Sequence, residues 1–430
     1  MNRTPGQRPK RGFVLILTLA LLGLLVLAVL ALSGLVRAGG QLAATGVRQM
    51  QARQNALLGL NVALGELQRR AGEDNRVTAM AGVTGIGAGA GNVTRHWCGV
   101  WTDSGDFLGW LSSGAQAGGA PAIQAGVPQV KLAADGSVGA NSSNSEHVMV
   151  GKLPITVPDV TGSTSTGGRY AYWVADEGVK VSAYTPENPP PISIGVTPRL
   201  FSSSATSAQG RLLGALTTYS ARLPRILAYE QLRLLPVPTA AALTAGTIHD
   251  NFHQVTLSSL RLTAGELRSG VFNLNTNSTI VWRSIVGTYN LAGTGPLLDS
   301  AQISGIGAVL ANGLAGATAA NKATGGPFLS VDGFAGSALL AGALNGSGVT
   351  PGQFITGLGL LLGVRSDTFR IRAYGEALNP ADPAKTEAVA YCEAIVQRMP
   401  GPGPGGTGRR FAIIHFRWLA ADAPPLNDDV

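Results

Sequence analysis

The chain has 430 residues, 45% of them hydrophobic and only 13% charged, with 59 glycines. That is enough apolar residue for at least one sizeable core, so wholesale disorder is excluded, and low charge with abundant Gly, Ala, Ser and Thr points to a loop-rich extracytoplasmic protein. Half of the net charge of +8 is local: Arg3, Arg8, Lys10 and Arg11 precede the first apolar run, the other 28 of the 32 basic residues only modestly outnumber the 24 acidic ones, and without an aromatic-interleaved basic cluster no nucleic-acid partner is expected.

Residues 1–12 form a short basic leader. From Phe13 to Val36 there is no charge, and Thr18 and Ser33 are the only polar side chains. The run spells roughly 36 Å of helix, enough to cross a hydrocarbon core of about 30 Å and longer than a secretory h-region of about 7–15 residues. Basic residues before it and low charge after it predict a single pass through membrane lipid, with a cytoplasmic amino terminus and the bulk outside. Residues 37–73 continue the helical signal. Val47, Met50, Leu57, Leu60, Leu64 and Leu67 recur at helical spacing, with Arg48, Gln51, Gln54, Asn55, Glu66, Gln68 and Arg69 on other faces, and Gly72 stands as a stop. One helix from Phe13 to about Ala71 is expected, weakened in its middle by Gly34, Gly39, Gly40 and Gly46.

A basic leader, Gly12 immediately before Phe13, a long apolar run and an amphipathic extension together resemble the amino termini of type IV prepilins and type II secretion pseudopilins. The resemblance implies cleavage after Gly12 by a prepilin peptidase, methylation of the new terminal amine on Phe13, and assembly with other pilin or pseudopilin subunits through the same helix. One position departs from that pattern: the glutamate usual at the fifth mature position is Leu17 here. A carboxylate in a bilayer costs about 2.5–3.5 kcal/mol on insertion scales and persists where it finds a partner, which in major pilins is implied to be the next subunit's terminal amine. A subunit lacking it resembles the K-type minor pseudopilin and PilX-like minor pilins, and suits an initiating or tip position.

Residues 74–185 read as a Gly/Ser/Ala-rich β region. Trp97, Trp101 and Trp110 in "RHWCGVWTDSGDFLGWL" are expected to form a small core packed on the long helix. Cys98 and Cys392 could form a disulfide or lie apart as small buried residues, and neither has the paired spacing of a zinc site. In "GGRYAYWVADEGVKVSAY", Tyr170, Tyr172 and Val174 alternate with Ala171, Trp173 and Ala175, which predicts a strand. Asp176 and Glu177 follow as a turn, expected to be solvated rather than a Ca²⁺ site. This strand, acidic turn and lysine resemble those of K-type pseudopilins.

Residues 186–365 open on a proline-rich connector, "TPENPPPISIGVTPR", and then read as a mainly helical insertion: "PRILAYEQLRLL", "SSLRLTAGELRSG" and "SGIGAVLANGLAGATAANKAT". Between them, "GVFNLNTNSTIVWRSIVG" resembles the Asn-x-Asn-Thr strand-to-helix element of the K-type family, with Asn275 and Asn277 suited to turn and capping positions. "GGPFLSVDGFAGSALLAGALN" resembles that family's loop leading into a helix. Residues 366–421 read as three strands of an antiparallel meander, with Phe369, Ile371 and Ala373 set against Arg370, Arg372 and Tyr374, and 422–430 as a tail. "SDTFRIRAYGEA", "AYCEAIVQR" and "FRWLA" are similar to a prepilin-like family of verrucomicrobial bacteria called cassette protein A.

No phosphate loop, nucleophile elbow or dinucleotide fingerprint is present. His249 and His253 in "HDNFHQV" could share a helix face beside Asp250 but lack a further ligand, and His96, His147 and His415 are isolated. No catalytic residue, metal or cofactor is expected. The expected fold is α+β: a long amino-terminal transmembrane and amphipathic helix, a carboxyl-terminal antiparallel sheet and an inserted helical region. The expected role is a pilin-like or pseudopilin-like structural subunit of the bacterial inner membrane. The rivals are a stand-alone anchored surface or adhesion protein, and an anchored periplasmic enzyme using His249 and His253.

Overall fold

A computed structural model of the chain describes residues 11–84, 93–139, 146–158, 164–182, 252–256, 272–290, 292–315, 326–359 and 361–419. The chain divides into two compact units, 1–51 and 52–430. Helix α1, Arg11–Ala71, is unbroken, so the four glycines of its middle weaken it without ending it. Arg69 and Arg70 occupy its last turn, where cations suit the helix dipole, and Gly72 N–H donates back to Gln68 O at 3.1 Å. In the first unit the large apolar side chains from Leu15 to Met50 are all exposed.

The second unit is built on a five-stranded antiparallel sheet in the order β14-β13-β12-β7-β6. Its strands are β6 (Leu153–Pro158), β7 (Thr164–Asp176), β12 (Thr368–Asn379), β13 (Asp382–Pro402) and β14 (Arg409–Leu419). The carboxyl-terminal meander is therefore present as expected, with β7 added against β12 in the register Ile371↔Val174. The last turns of α1 cover one face. Ala52, Ala56, Leu60, Ala63, Leu67 and Ala71 pack there on Tyr172, Val174, Phe369, Ile371, Ala373, Cys392 and Ala394.

This is only in part the face that periodicity suggested: Leu60 and Leu67 lie in it, the more amino-terminal positions do not. Val47 and Met50 are each 64% exposed and Leu57 36%, whereas the buried stripe is mostly alanine. The reason is close approach: a Cβ on Gly375 of β12 would collide with the backbone of Ala52 and Ala56, and one on Gly168 of β7 with the Asn55 amide. Small residues on both sides let helix and sheet backbones meet. Asn55 Nδ2 then donates to Glu376 O at 2.8 Å. Gln68 donates to the carbonyls of Thr407 (2.9 Å) and Arg409 (2.8 Å) and accepts from Phe411 N–H at 3.0 Å, satisfying backbone groups of β14 and of the loop before it.

The opposite sheet face carries a second core. A small sheet of β1 (Val77–Met80), β2 (Cys98–Trp101) and β3 (Phe107–Trp110) supplies Trp97, Trp101 and Trp110, which meet Ala171, Trp173, Tyr374 and Tyr391. The tryptophans thus form a core as expected, but packed on the far side of the sheet from α1. On the same segment Cys98 and Val100 point the other way, into the helix layer, as strand alternation requires. The β4 (Gln129–Ala133) and β5 (Val148–Gly151) pair adds Leu132, Val148 and Val150 to the second core.

A third core is helical. Helices α2 (Thr279–Tyr289), α3 (Ser300–Ala315), α4 (Val331–Ala335), α5 (Ala338–Leu344) and α6 (Pro351–Leu358) enclose Trp282, Ile285, Leu310, Phe334, Leu340 and Phe354. Ser278, Ser330 and Ser337 cap α2, α4 and α5, and Thr350 with Gln353 forms a capping box on α6. Two short parallel pairs tie this region to the sheet: β8 (Val181–Ser182) with β9 (Val255–Thr256), and β10 (Phe272–Asn273) with β11 (Leu362–Gly363). The proline-rich connector, the helices expected at 224–235 and 258–270, and the tail lie outside the described residues.

Candidate functional site

The first candidate surface is α1 itself. Gly12 and Phe13 lie in its first turn, and Leu17 is 59% exposed among neighbours that are all exposed. From Leu15 the helix is long and apolar enough to cross a membrane, with nothing of its most apolar stretch buried. The Thr18 hydroxyl donates to Leu15 O and that of Thr45 to Gln41 O, each at 2.9 Å. These two hydroxyls are thus satisfied within the helix, as a lipid surrounding demands of polar groups.

The second candidate is the acidic turn. Rather than being solvated, Asp176 and Glu177 are both buried. Asp176 accepts from Gly178 N–H (2.8 Å), Thr78 Oγ1 (3.0 Å) and Asn273 Nδ2 (3.3 Å). Asn273 Nδ2 also donates to Thr78 O at 2.9 Å and to Ser366 Oγ at 3.1 Å. The side chain of Asn275 accepts from Phe328 N–H (2.9 Å) and donates to Phe328 O (3.1 Å), and that of Asn277 donates to Gly82 O at 3.3 Å. The Asn-x-Asn element is therefore a junction joining β1, the end of β7 and the helical region. The cap of the following helix is Ser278, not an asparagine.

Glu177 accepts from Lys180 at 2.7 Å and Arg370 at 3.1 Å, and Glu393 from Arg370 and Arg372, each at 2.8 Å, with Arg417 at 3.0 Å. Burial alone would raise Glu177, but Arg370 and Lys180 outweigh it and hold the carboxyl down at about 2. Asp176 lacks such cations, so burial pushes it up to about 6 despite its hydrogen bonds. Sequence reading set Arg370 and Arg372 opposite the apolar face of β12 but missed their burial. The available signal was carboxylates within apolar strand contexts, the Asp176–Glu177 pair in "WVADEGVK" and the single Glu393 in "YCEAIV".

His249 and Asp250 lie outside the described residues. His253 sits in a turn leading into β9 rather than on a helix, and meets His96: the rings are stacked at 3.5 Å with an interplanar angle of 1°. Glu146 Oε2 lies 3.5 Å from His96 Nε2, and His253 Nε2 donates to Glu146 O at 2.7 Å. The three side chains have metal-ligand chemistry and offer donor atoms within 4.8 Å of one another. Their arrangement does not cage an ion. Nitrogen lone pairs of parallel rings run parallel, and an ion about 2.0–2.1 Å from both would lie far out of each ring plane.

Cys98 and Cys392 are both buried free thiols, not a disulfide, within the layer between α1 and the sheet. Burial pushes Cys98 well up and Cys392 up to about 12, so neither is a thiolate nucleophile at neutral pH.

Together these features define an α+β protein whose amino-terminal helix can span a membrane and whose buried charges serve the fold. No protein-family model matches the chain, and no curated protein matches it. Among solved structures it is similar to a chain in the GspK–GspI–GspJ complex of the enterotoxigenic Escherichia coli type 2 secretion system, with a TM-score of 0.32 and 13% identity over 62% of this chain and 84% of that one.

Proposed function

We propose that the chain is a minor pilin-like or pseudopilin-like structural subunit. Helix α1 holds it in the bacterial inner membrane, amino terminus cytoplasmic and carboxyl-terminal bulk periplasmic or extracellular, and carries it into a filament of a type IV pilus or type II secretion kind. The observation that carries this reading is the length of exposed apolar surface on α1. A membrane span needs about 20 residues, which Leu15–Val36 already supply, yet Leu42, Val47 and Met50 beyond it remain exposed. Large apolar side chains past the bilayer call for another cover, and the matching surface is the same helix on neighbouring subunits. Gly34, Gly39, Gly40 and Gly46, with open space around each, suit close helix-to-helix approach.

In this role the prepilin peptidase cuts after Gly12 and Phe13 is methylated. Leu17, with no carboxylate to pair with a neighbour's terminal amine, favours an initiating or tip position. The role is mechanical rather than catalytic: the acidic turn and the asparagines are spent on internal hydrogen bonds. Single cysteines introduced by Leu24→Cys and Ala31→Cys test the packing, since Cys98 and Cys392 are buried. Cross-links in cells to another prepilin-like subunit are expected. Insertion in the membrane without any protein cross-link would instead favour a stand-alone anchored surface or adhesion protein.

A further inference from the structure

Residues 252–256 form a strap across the buried ion pairs. Phe252 and Val255 are buried in the same core as Trp173 and Tyr374. The Phe252 ring lies 4.6 Å from the Arg372 guanidinium, 5.2 Å from Lys180 Nζ and 5.8 Å from the Arg370 guanidinium. Val181 N–H donates to Gln254 O at 2.9 Å, and the Thr256 hydroxyl donates to Glu177. His253 pins the strap. It stacks on His96 of the 93–96 turn, meets the Trp173 ring edge-on at 6.2 Å, and donates from Nε2 to Glu146 O.

That stack disfavours charge on its rings, and on both at once most of all. Both ring nitrogens of His96 are buried, and Glu146 Oε2 lies 3.5 Å from Nε2, at the outer limit of a hydrogen bond. The charges facing the pair are mostly positive: Arg95 beside Glu146 at 3.8 Å, Lys180 beneath the strap, and Arg372 of β12. Of the nearby anions, Glu146 is shared with Arg95, and Glu177 is held by Lys180 and Arg370. His147 is engaged with Asp135 at 2.9 Å and lies 3.4 Å from Lys131. Two protonated rings 3.5 Å apart would repel in a site with little solvent to screen them. Burial accordingly lowers the pKa of His96 and takes that of His253 well below the ordinary range.

We propose that the His96–His253 stack is a pH-sensitive latch: acid undocks the 252–256 strap and uncovers the Lys180, Arg370 and Arg372 cations beneath it. Once undocked, both rings regain an ordinary pKa near about 6.5, so below that pH the open state takes up protons that the closed state refuses. Opening is then favoured by up to about tenfold per pH unit for each histidine, about a hundredfold for the pair. Above pH ~6.5 the latch stays shut. Asp176, whose folded pKa is raised, titrates with the opposite sign and cannot mimic this effect.

Hydrogen exchange read by mass spectrometry on the full chain in detergent micelles, from pH 7.5 to 5 and corrected for intrinsic rates, tests the latch. The expected result is loss of protection in 252–256 and at Val181 below pH 6.5, with β12 and β13 unchanged. His96→Phe keeps an aromatic face without a titrating nitrogen and should reduce the pH dependence of strap opening by up to about tenfold per unit. Strap protection constant across this range overturns the proposal, as does a His96→Phe protein with wild-type pH dependence. Should that variant not fold, NMR titration of the five histidines of the wild type decides. Two rings staying neutral well below pH 6.5 until the strap exchanges support the latch; all five titrating near 6.5 with no change in the strap overturn it.

Discussion

Asp176 and Glu177 are neighbours in sequence with opposite electrostatic outcomes. Both are buried, but Glu177 faces Arg370 and Lys180 whereas Asp176 faces neutral donors. With its pKa raised from 3.8 to about 6, folded Asp176 keeps a proton that the unfolded chain has lost. Its contribution to stability therefore falls as pH rises through the window from about 4 to 6, by an amount on the order of 2–3 kcal/mol. Asp176→Asn should remove that slope, read as the difference between wild-type and variant urea midpoints at each pH; parallel curves would contradict it. The cysteines give a second residue-level prediction. With both thiols buried and free, a maleimide should label neither in the folded protein and both after unfolding without reductant. A chain that labels only after reduction would show a disulfide instead.

At the scale of elements, the junction between α1 and the sheet rests on small residues. Gly375→Ala places a methyl group against the backbone of Ala52 and Ala56, atoms that move only if the helix moves. Overpacking of this kind costs about 1–3 kcal/mol, so the thermal midpoint of the variant should fall by several degrees, while Gly342→Ala, in an exposed helical position with open space around it, should leave it unchanged or raise it slightly. Equal midpoints for Gly375→Ala and wild type would contradict the contact. The same junction shows what was legible in sequence. Existence, length and stop of α1 followed from its apolar run and Gly72, because those depend on local residues. The buried face followed only at Leu60 and Leu67, because leucine spacing marks hydrophobicity whereas close backbone approach selects Ala52, Ala56 and Ala63, a tertiary demand that apolar spacing does not show. Arg370 and Arg372 escaped for a similar reason: their burial depends on Glu177 and Glu393, brought together by strand pairing. The stacked histidines, far apart in sequence, had no local signal at all.

For the molecule as a whole, the order of helix, β region, helical region and carboxyl-terminal meander was readable because each part has its own period and turn chemistry. Which face of the sheet each core occupies was not, since that is settled by packing among distant strands. The candidate surface followed the same division. The exposed run from Leu15 was plain from composition, whereas the exposure of Val47 and Met50 emerged only once the alanine stripe was seen to take the sheet. In the proposed role those exposed residues connect the fold to assembly, and assembly in turn to processing of the leader. The most direct measurement is therefore the mass of the mature amino terminus in protein purified from its native membrane. An assembly subunit begins at N-methylated Phe13, with residues 1–12 removed; a chain that retains Met1 contradicts the pilin-like role and leaves α1 as a passive anchor.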